Sequence, residues 1–312
     1  MRKYIRYTDG FKELHRPDKG CWIDVESPSR DDFTYLIDSL RIPREFLEDI
    51  NDVDERPRTE ISGDLMLTIL RIPVRAAAGS ESVAPFNTVP IGIITGPGLT
   101  VSVCYHHTEL LPDFIDHSQR KQVSAPTHSD LILRIINSSA YWFLKYLREM
   151  NAAISRAEGR LERTIRNGDL MRLMQIQKSI VYFSTSIRGN QTMIGHLKNV
   201  FERTGAQPDP DLAEDVEIEL TQAADTVDIY SQILAGTTDA FASIISNNVN
   251  DIMKRMTSIS ITLMIPTLIA SFYGMNVAVP AGGNPWAFWG IVVVATLLTA
   301  MAVIVFRRLR WF

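Results

Sequence analysis

The chain has 312 residues, 46% of them hydrophobic and 22% charged, an ordinary composition with length enough for two soluble domains. Arg307, Arg308 and Arg310 contribute +3 to a net charge of −4, which leaves −7 on residues 1–255 and favours cations over nucleic acid as partners. Cys21 and Cys104, the only cysteines, are too few and too isolated for a disulfide framework or a zinc cluster, so a reducing compartment is expected.

The opening "MRKYIRYTDGFKEL" lacks an apolar core and is not expected to act as a secretory signal. Residues 1–125 read as a mixed α/β domain. "CWIDVES" and "DLMLTILRIPV" are short β-branched or aliphatic runs, and "FNTVPIGIITGPGLTVSVCYHH" reads as two strands around a turn at Gly96, Pro97 and Gly98. "SPSRDDFTYLIDSLRI" has a serine cap and apolar residues at Phe33, Leu36, Ile37 and Leu40, a helical period. "AAAGSES" reads as a loop. The turn lacks the Gly-Lys-Ser/Thr of a phosphate loop, and His106 and His107 have no third ligand at metal-binding spacing. No nucleophile, base and orienting group can be assembled, so the chain is not expected to be an enzyme.

Residues 126–255 read as long helices. An apolar repeat from Leu131 to Ile165 is broken by "RNGD", and the arginines from Arg156 to Arg172 form a solvated face. A second helix runs from about Leu170 to Phe201, and "TGAQPDPD" ends it. The third begins near Leu212 and meets no proline until Pro266; carried to Met275, it would be about 96 Å long.

Residues 256–312 contain two membrane-length segments, 256–275 and 286–306, free of charge from Met256 to Phe306. Lys254 and Arg255 precede the first span and three arginines follow the second. The connecting "NVAVPAGGNP" has no basic residue, so the spans form a hairpin with both chain ends in the cytoplasm. Two spans cannot enclose a pore alone, so any transport role requires a homo-oligomer in lipid.

The first span carries six hydroxyls, and steps of three or four trace a stripe through Asn250, Met253, Met256 or Thr257, Ser260, Met264, Thr267 and Ser271. Such a stripe suits helix packing through small polar groups or the lining of a pore. The span closes on "SFYGMN" rather than on a charged stop.

That "YGMN", after a long helix and before a short turn, with a final basic and aromatic "RRLRWF", resembles the signature of the CorA-type magnesium channels. "WIDVESPSRDDF", "FLEDINDVDERPRTEI", "AADTVDIY", "DAFASIISNNVNDIMKRMT" and "MIPTLIASFYGMN" resemble further segments of that family. The resemblance implies a homopentameric funnel: a cytoplasmic α/β domain, a long helical stalk and two C-terminal transmembrane helices in the plasma (inner) membrane. It implies a passive Mg²⁺ channel, with Co²⁺ and Ni²⁺ as further ions, whose selectivity filter is Gly274, Met275 and Asn276. Asn250 and Thr267 become polar pore rings, and Met256 and Met264 hydrophobic constrictions. Asp49 and Asp239 match an acidic pair that binds regulatory Mg²⁺ between subunits, and Asp215 matches a second acidic site.

The loop "VAVPAGGNPWAF" lacks the acid that many relatives carry after the signature, and Ser271 stands where some have glycine. A Zn²⁺ transporter on the same scaffold is the nearest rival, although those relatives tend to replace the residue corresponding to Met275. A membrane-anchored scaffold or sensor that conducts nothing is the rival from another class.

Overall fold

The computed structural model describes residues 2–8, 10–76, 84–161, 167–275 and 286–311. The loop read as "AAAGSES" and the closing Asn276 of the signature lie almost wholly or wholly outside them. The chain divides into two compact units, Met1–Thr237 and Thr238–Phe312.

The first unit is built on a seven-stranded sheet in the order β2-β1-β3-β7-β6-β5-β4. Its strands are β1 (Arg2–Arg6), β2 (Lys12–Leu14), β3 (Trp22–Glu26), β4 (Arg58–Ser62), β5 (Leu65–Arg75), β6 (Phe86–Gly96) and β7 (Leu99–Cys104). Among these strands only β3 and β7 pair in parallel, which the long connection between them permits. β6 turns into β7 through Gly98, whose φ of 72° is the left-handed backbone that a glycine adopts without strain. Nearly every residue of β6 is buried, because helices cover both faces of the central strands.

One face carries α1 (Arg30–Thr34), which continues as a wider turn over Tyr35–Ser39, and α2 (Arg44–Asn51). Ser29 caps α1 as its sequence predicts. Its hydroxyl accepts from the Asp32 amide at 3.2 Å, while Asp32 accepts from the Ser29 amide at 3.0 Å. α2 buries Phe46, Leu47 and Ile50 on one stripe and sits close on β6 at Gly92, where an added Cβ would lie 2.2 Å from the Ile50 side chain. α3 (Leu110–Arg120) follows β7.

α4 (His128–Leu161) and α5 (Asn167–Thr204) cover the other face. The buried Asn190 amide of α5 accepts from the Arg71 N–H at 2.9 Å and donates to the Arg71 carbonyl at 2.8 Å. One side chain thus supplies both partners that a neighbouring strand would give. α6 (Pro210–Tyr273) is a single helix of 64 residues whose first part packs in this unit through Val216, Leu220, Ala223 and Val227. The second unit comprises the rest of α6 together with α7 (Ala287–Arg308).

β1, β2, β4, α2 and α3 are elements the sequence did not announce. "RKYIR" and "RTEIS" are short and polar, and α2 spans only eight residues.

Candidate functional site

In the second unit, α6 and α7 border a groove of about 950 Å³. Pro266, Ile269 and Tyr273 line it from α6, and Val292, Thr296 and Thr299 line it from α7. At about 100° per residue the α6 lining of this groove, which also includes Ala270 and Gly274, centres about 120° around the helix from Ser260, Met264, Thr267 and Ser271. The predicted stripe therefore does not pack on the second span of its own chain. Its members are exposed, with Met253 at 60%, Met256 at 61% and Met264 at 64%.

Local chemistry distinguishes the two sides further. Thr267 Oγ1 donates to the Leu263 carbonyl at 2.8 Å, so its proton is spent inside the helix and its lone pairs remain as acceptors. Pro266 has no N–H, so the Thr262 carbonyl loses the partner an unbroken helix would give it. The Thr262 hydroxyl, on the α7 side of the helix, is buried without a hydrogen-bond partner.

The helix ends just before Gly274, whose N–H still donates to the Ala270 carbonyl at 2.9 Å. Gly274 is not among the glycines with left-handed backbone, so a cap of that kind does not end the helix. What the residue supplies is room: a Cβ there would stand 3.2 Å from the Ala270 carbonyl oxygen. Met275 follows in a turn and is half exposed, and Asn276 lies outside the described residues.

Asp49 sits in the last turn of α2, one residue before the buried Ile50. Arg58, the first residue of β4, donates to Asp49 Oδ2 at 2.6 Å, and also pairs with Glu55 and, at 3.4 Å, with Glu60. Partial burial works to lower the Arg58 pKa, but the charges of Glu55 and Asp49 outweigh it and hold the guanidinium above its ordinary value. Sequence reading assigned Arg58 no role; its place in "DVDERPRTE", among four acids, was the available signal. Glu48, beside Asp49, is taken by Arg44 at 2.8 Å.

Asp215 and Asp239 are exposed on α6, the first in the N-terminal unit and the second in the C-terminal one. Carboxylate oxygens are the donors Mg²⁺ prefers, so the chemistry of the predicted acids fits that ion. Among the described residues, however, no three acidic, histidine or cysteine side chains gather in one chain to hold a metal. His107 pairs instead with Glu26 at 2.8 Å, and His106, half-buried, is held below its usual pKa by burial and then by Arg71. Both cysteines are buried and unpaired, and burial pushes the Cys104 thiol up to about 12.

Comparison with known proteins places this architecture. The chain is 23% identical over 296 residues, 93% of its length and 90% of the relative's, to the cobalt/magnesium transport protein CorA of Methanocaldococcus jannaschii. It is 21% identical over 298 residues, 93% of its length and 83% of the relative's, to the protein of the same name from Thermotoga maritima. The complete structure of the M. jannaschii CorA magnesium transporter superposes with a TM-score of 0.82 at 20% identity, covering 100% of this chain and 99% of that one. The fold is therefore that of a membrane protein with a cytoplasmic α/β domain, a long helix and two C-terminal spans. With the family model for the CorA-like Mg²⁺ transporter protein matching residues 17–308, this chain belongs to that family.

Proposed function

We propose that identical copies of this chain, five in number, surround a central path lined by the stripe on α6 and pass hydrated Mg²⁺ down its electrochemical gradient, with Co²⁺ and Ni²⁺ as further ions. One observation carries the reading: the stripe of alternating methionines and small polar residues lies on the side of α6 turned away from α7. A face that were merely the packing seam of the hairpin would point the other way. Membership of a family of Mg²⁺ transporters and the transport named for its relatives supply the ion class.

The chemistry follows from the ion. Mg²⁺ dehydrates reluctantly, so a path that accepts hydrogen bonds from its water shell avoids the largest cost. Asn276 would offer a ring of neutral carbonyl acceptors, which bind without trapping. Gly274 would keep the chain close to the helix end behind that ring. Below it, Thr267 would present hydroxyl lone pairs, and Met264 and Met256 would narrow the path with apolar thioethers.

Regulation would come from Asp49 and Asp239 of neighbouring copies. Without metal the carboxylates repel across the contact. With cytoplasmic Mg²⁺ bound they attract, and the constricted state is favoured. Asp215 would be a second, weaker acidic site.

Flux of Mg²⁺, Co²⁺, Ni²⁺ and Zn²⁺ into proteoliposomes, driven by an imposed potential, tests the reading. Mg²⁺ should enter, and Asn276→Ala should lower its uptake by about tenfold or relax the choice of ion. Preferred Zn²⁺ uptake would favour the zinc transporter, and no flux of any ion would favour a non-conducting scaffold.

A further inference from the structure

The N-terminal unit contains a polar cavity of about 510 Å³ where α3, α4 and the first part of α6 meet. Arg134, Asn137 and Tyr141 border it from one face of α4, Asp113 and Arg120 from α3, and Glu219 from α6. Two features set this cavity apart. Arg134 Nε and Asn137 Oδ1 are buried without any hydrogen-bond partner. In addition, Asp113, Arg120, Arg134 and Glu219 border one space, and none of the four forms an ion pair among the described residues. Arg120 does donate from Nε to the Asp116 carbonyl at 3.3 Å, which leaves the rest of its guanidinium for other partners.

Buried donors and acceptors without partners are rare, and charges of opposite sign around a common space ordinarily pair. Here none of them meets another directly, so a partner occupying the space between them would satisfy them. A bare cation would be repelled by the two guanidinium groups, and a bare anion would leave the Asn137 oxygen and both carboxylates unsatisfied. What meets the two arginines, Asn137 and the two acids together is a molecule with an oxyanion at one end and hydrogen-bond donors along its body, and His117, which also borders the space, can donate to the same oxyanion. The fork of Arg134 suits a carboxylate or phosphate. Asn137 Oδ1, Asp113 and Glu219 would accept from hydroxyl or amino groups, and the Tyr141 ring, 52% exposed, offers a flat apolar wall. The volume falls within the range of small-ligand sites.

We infer that this cavity binds a small organic oxyanion, a phosphate ester or a hydroxylated carboxylate, whose donors face Asn137 and the two acids. Because Glu219 belongs to the helix that continues into the first span, occupancy joins α3 and α4 to α6 and gives a soluble metabolite a hold on the stalk. The inference is independent of the ion conducted and of the acids proposed to regulate it.

Thermal melts of the full chain in detergent test it, with AMP, citrate and inorganic phosphate each added at about 10 mM and sodium chloride as the ionic-strength control. AMP or citrate should raise the melting temperature above the salt control, and phosphate, an oxyanion without the donor-bearing body, should raise it less. Which of the first two acts separates the phosphate ester from the carboxylate. Arg134→Gln should weaken the response at least about tenfold in ligand concentration, while Arg203→Gln, on the exposed surface of α5, should respond as the parent does. Should Arg134→Gln fail to fold, Asn137→Ala and Glu219→Gln take its place with the same expectation. No shift with AMP or citrate, or an undiminished shift in the cavity variants, overturns the inference.

Discussion

Arg58 engages three carboxylates at once, and Asp49 among them is the one proposed to take part in binding regulatory Mg²⁺. Both members of that pair are about one-third exposed, so solvent weakens their attraction to the order of 1 kcal/mol. Arg58→Gln should therefore release Asp49 and lower the internal Mg²⁺ needed to inhibit flux by up to about fivefold. Inhibition at an unchanged Mg²⁺ concentration would remove Arg58 from the regulatory site. Asp24 presents a different case. It is buried, and among the described residues its side-chain hydrogen-bond partner is Ser102, which donates to it at 2.7 Å and accepts from Trp22 Nε1 at 2.8 Å. Burial raises its pKa to about 6, and the Ser102 bond offsets this only in part. The folded state therefore binds the proton more tightly than the unfolded chain does. Stability falls as pH rises from about 4 to about 6 and stays lower above that. Asp24→Asn should flatten this slope and raise stability at neutral pH by up to roughly 3 kcal/mol, as a pH series of thermal melts would register.

At the scale of elements, α2 brings Asp49 into place through its contact with the sheet. The absence of a side chain at Gly92 lets Ile50 approach β6, so Gly92→Ala should cost about 1–3 kcal/mol and displace the helix. Lower thermal stability together with weaker inhibition by internal Mg²⁺ is the expected pair of results, and unchanged stability would show that Ile50 moves aside freely. Long elements were legible in the sequence because periodicity accumulates. α4, α5 and α6 begin within three residues of where their apolar repeats and turn signals put them. Short ones were not. β4 is an exposed edge strand with little apolar content, and α3 carries Pro112 within its first turn. The cavity beside Glu219 was equally invisible, since its residues come from three segments that only folding brings together.

For the whole molecule, the hairpin was readable from the absence of charge between Met256 and Phe306, whereas which side of α6 meets α7 needed coordinates. That orientation gives a test of assembly. In membranes, Met264→Cys should form disulfide-linked dimers on mild oxidation, because in the proposed assembly its side faces other copies. Ile269→Cys, on the groove side, should remain largely monomeric. The native Cys21 and Cys104 are buried, which keeps the background low. The reverse pattern would place α7 at the centre of the assembly and end the channel reading.

Asp239 and the stripe from Asn250 onward ride on one uninterrupted helix, with no break before Pro266. They are thus locked in angular phase. Adding a single residue between them would swing one past the other by about 100°, whereas adding seven, close to two full turns, would nearly restore their alignment. Control of conduction by internal Mg²⁺ should accordingly vanish with the first insertion and return with the second. A loop in that place would be indifferent to both.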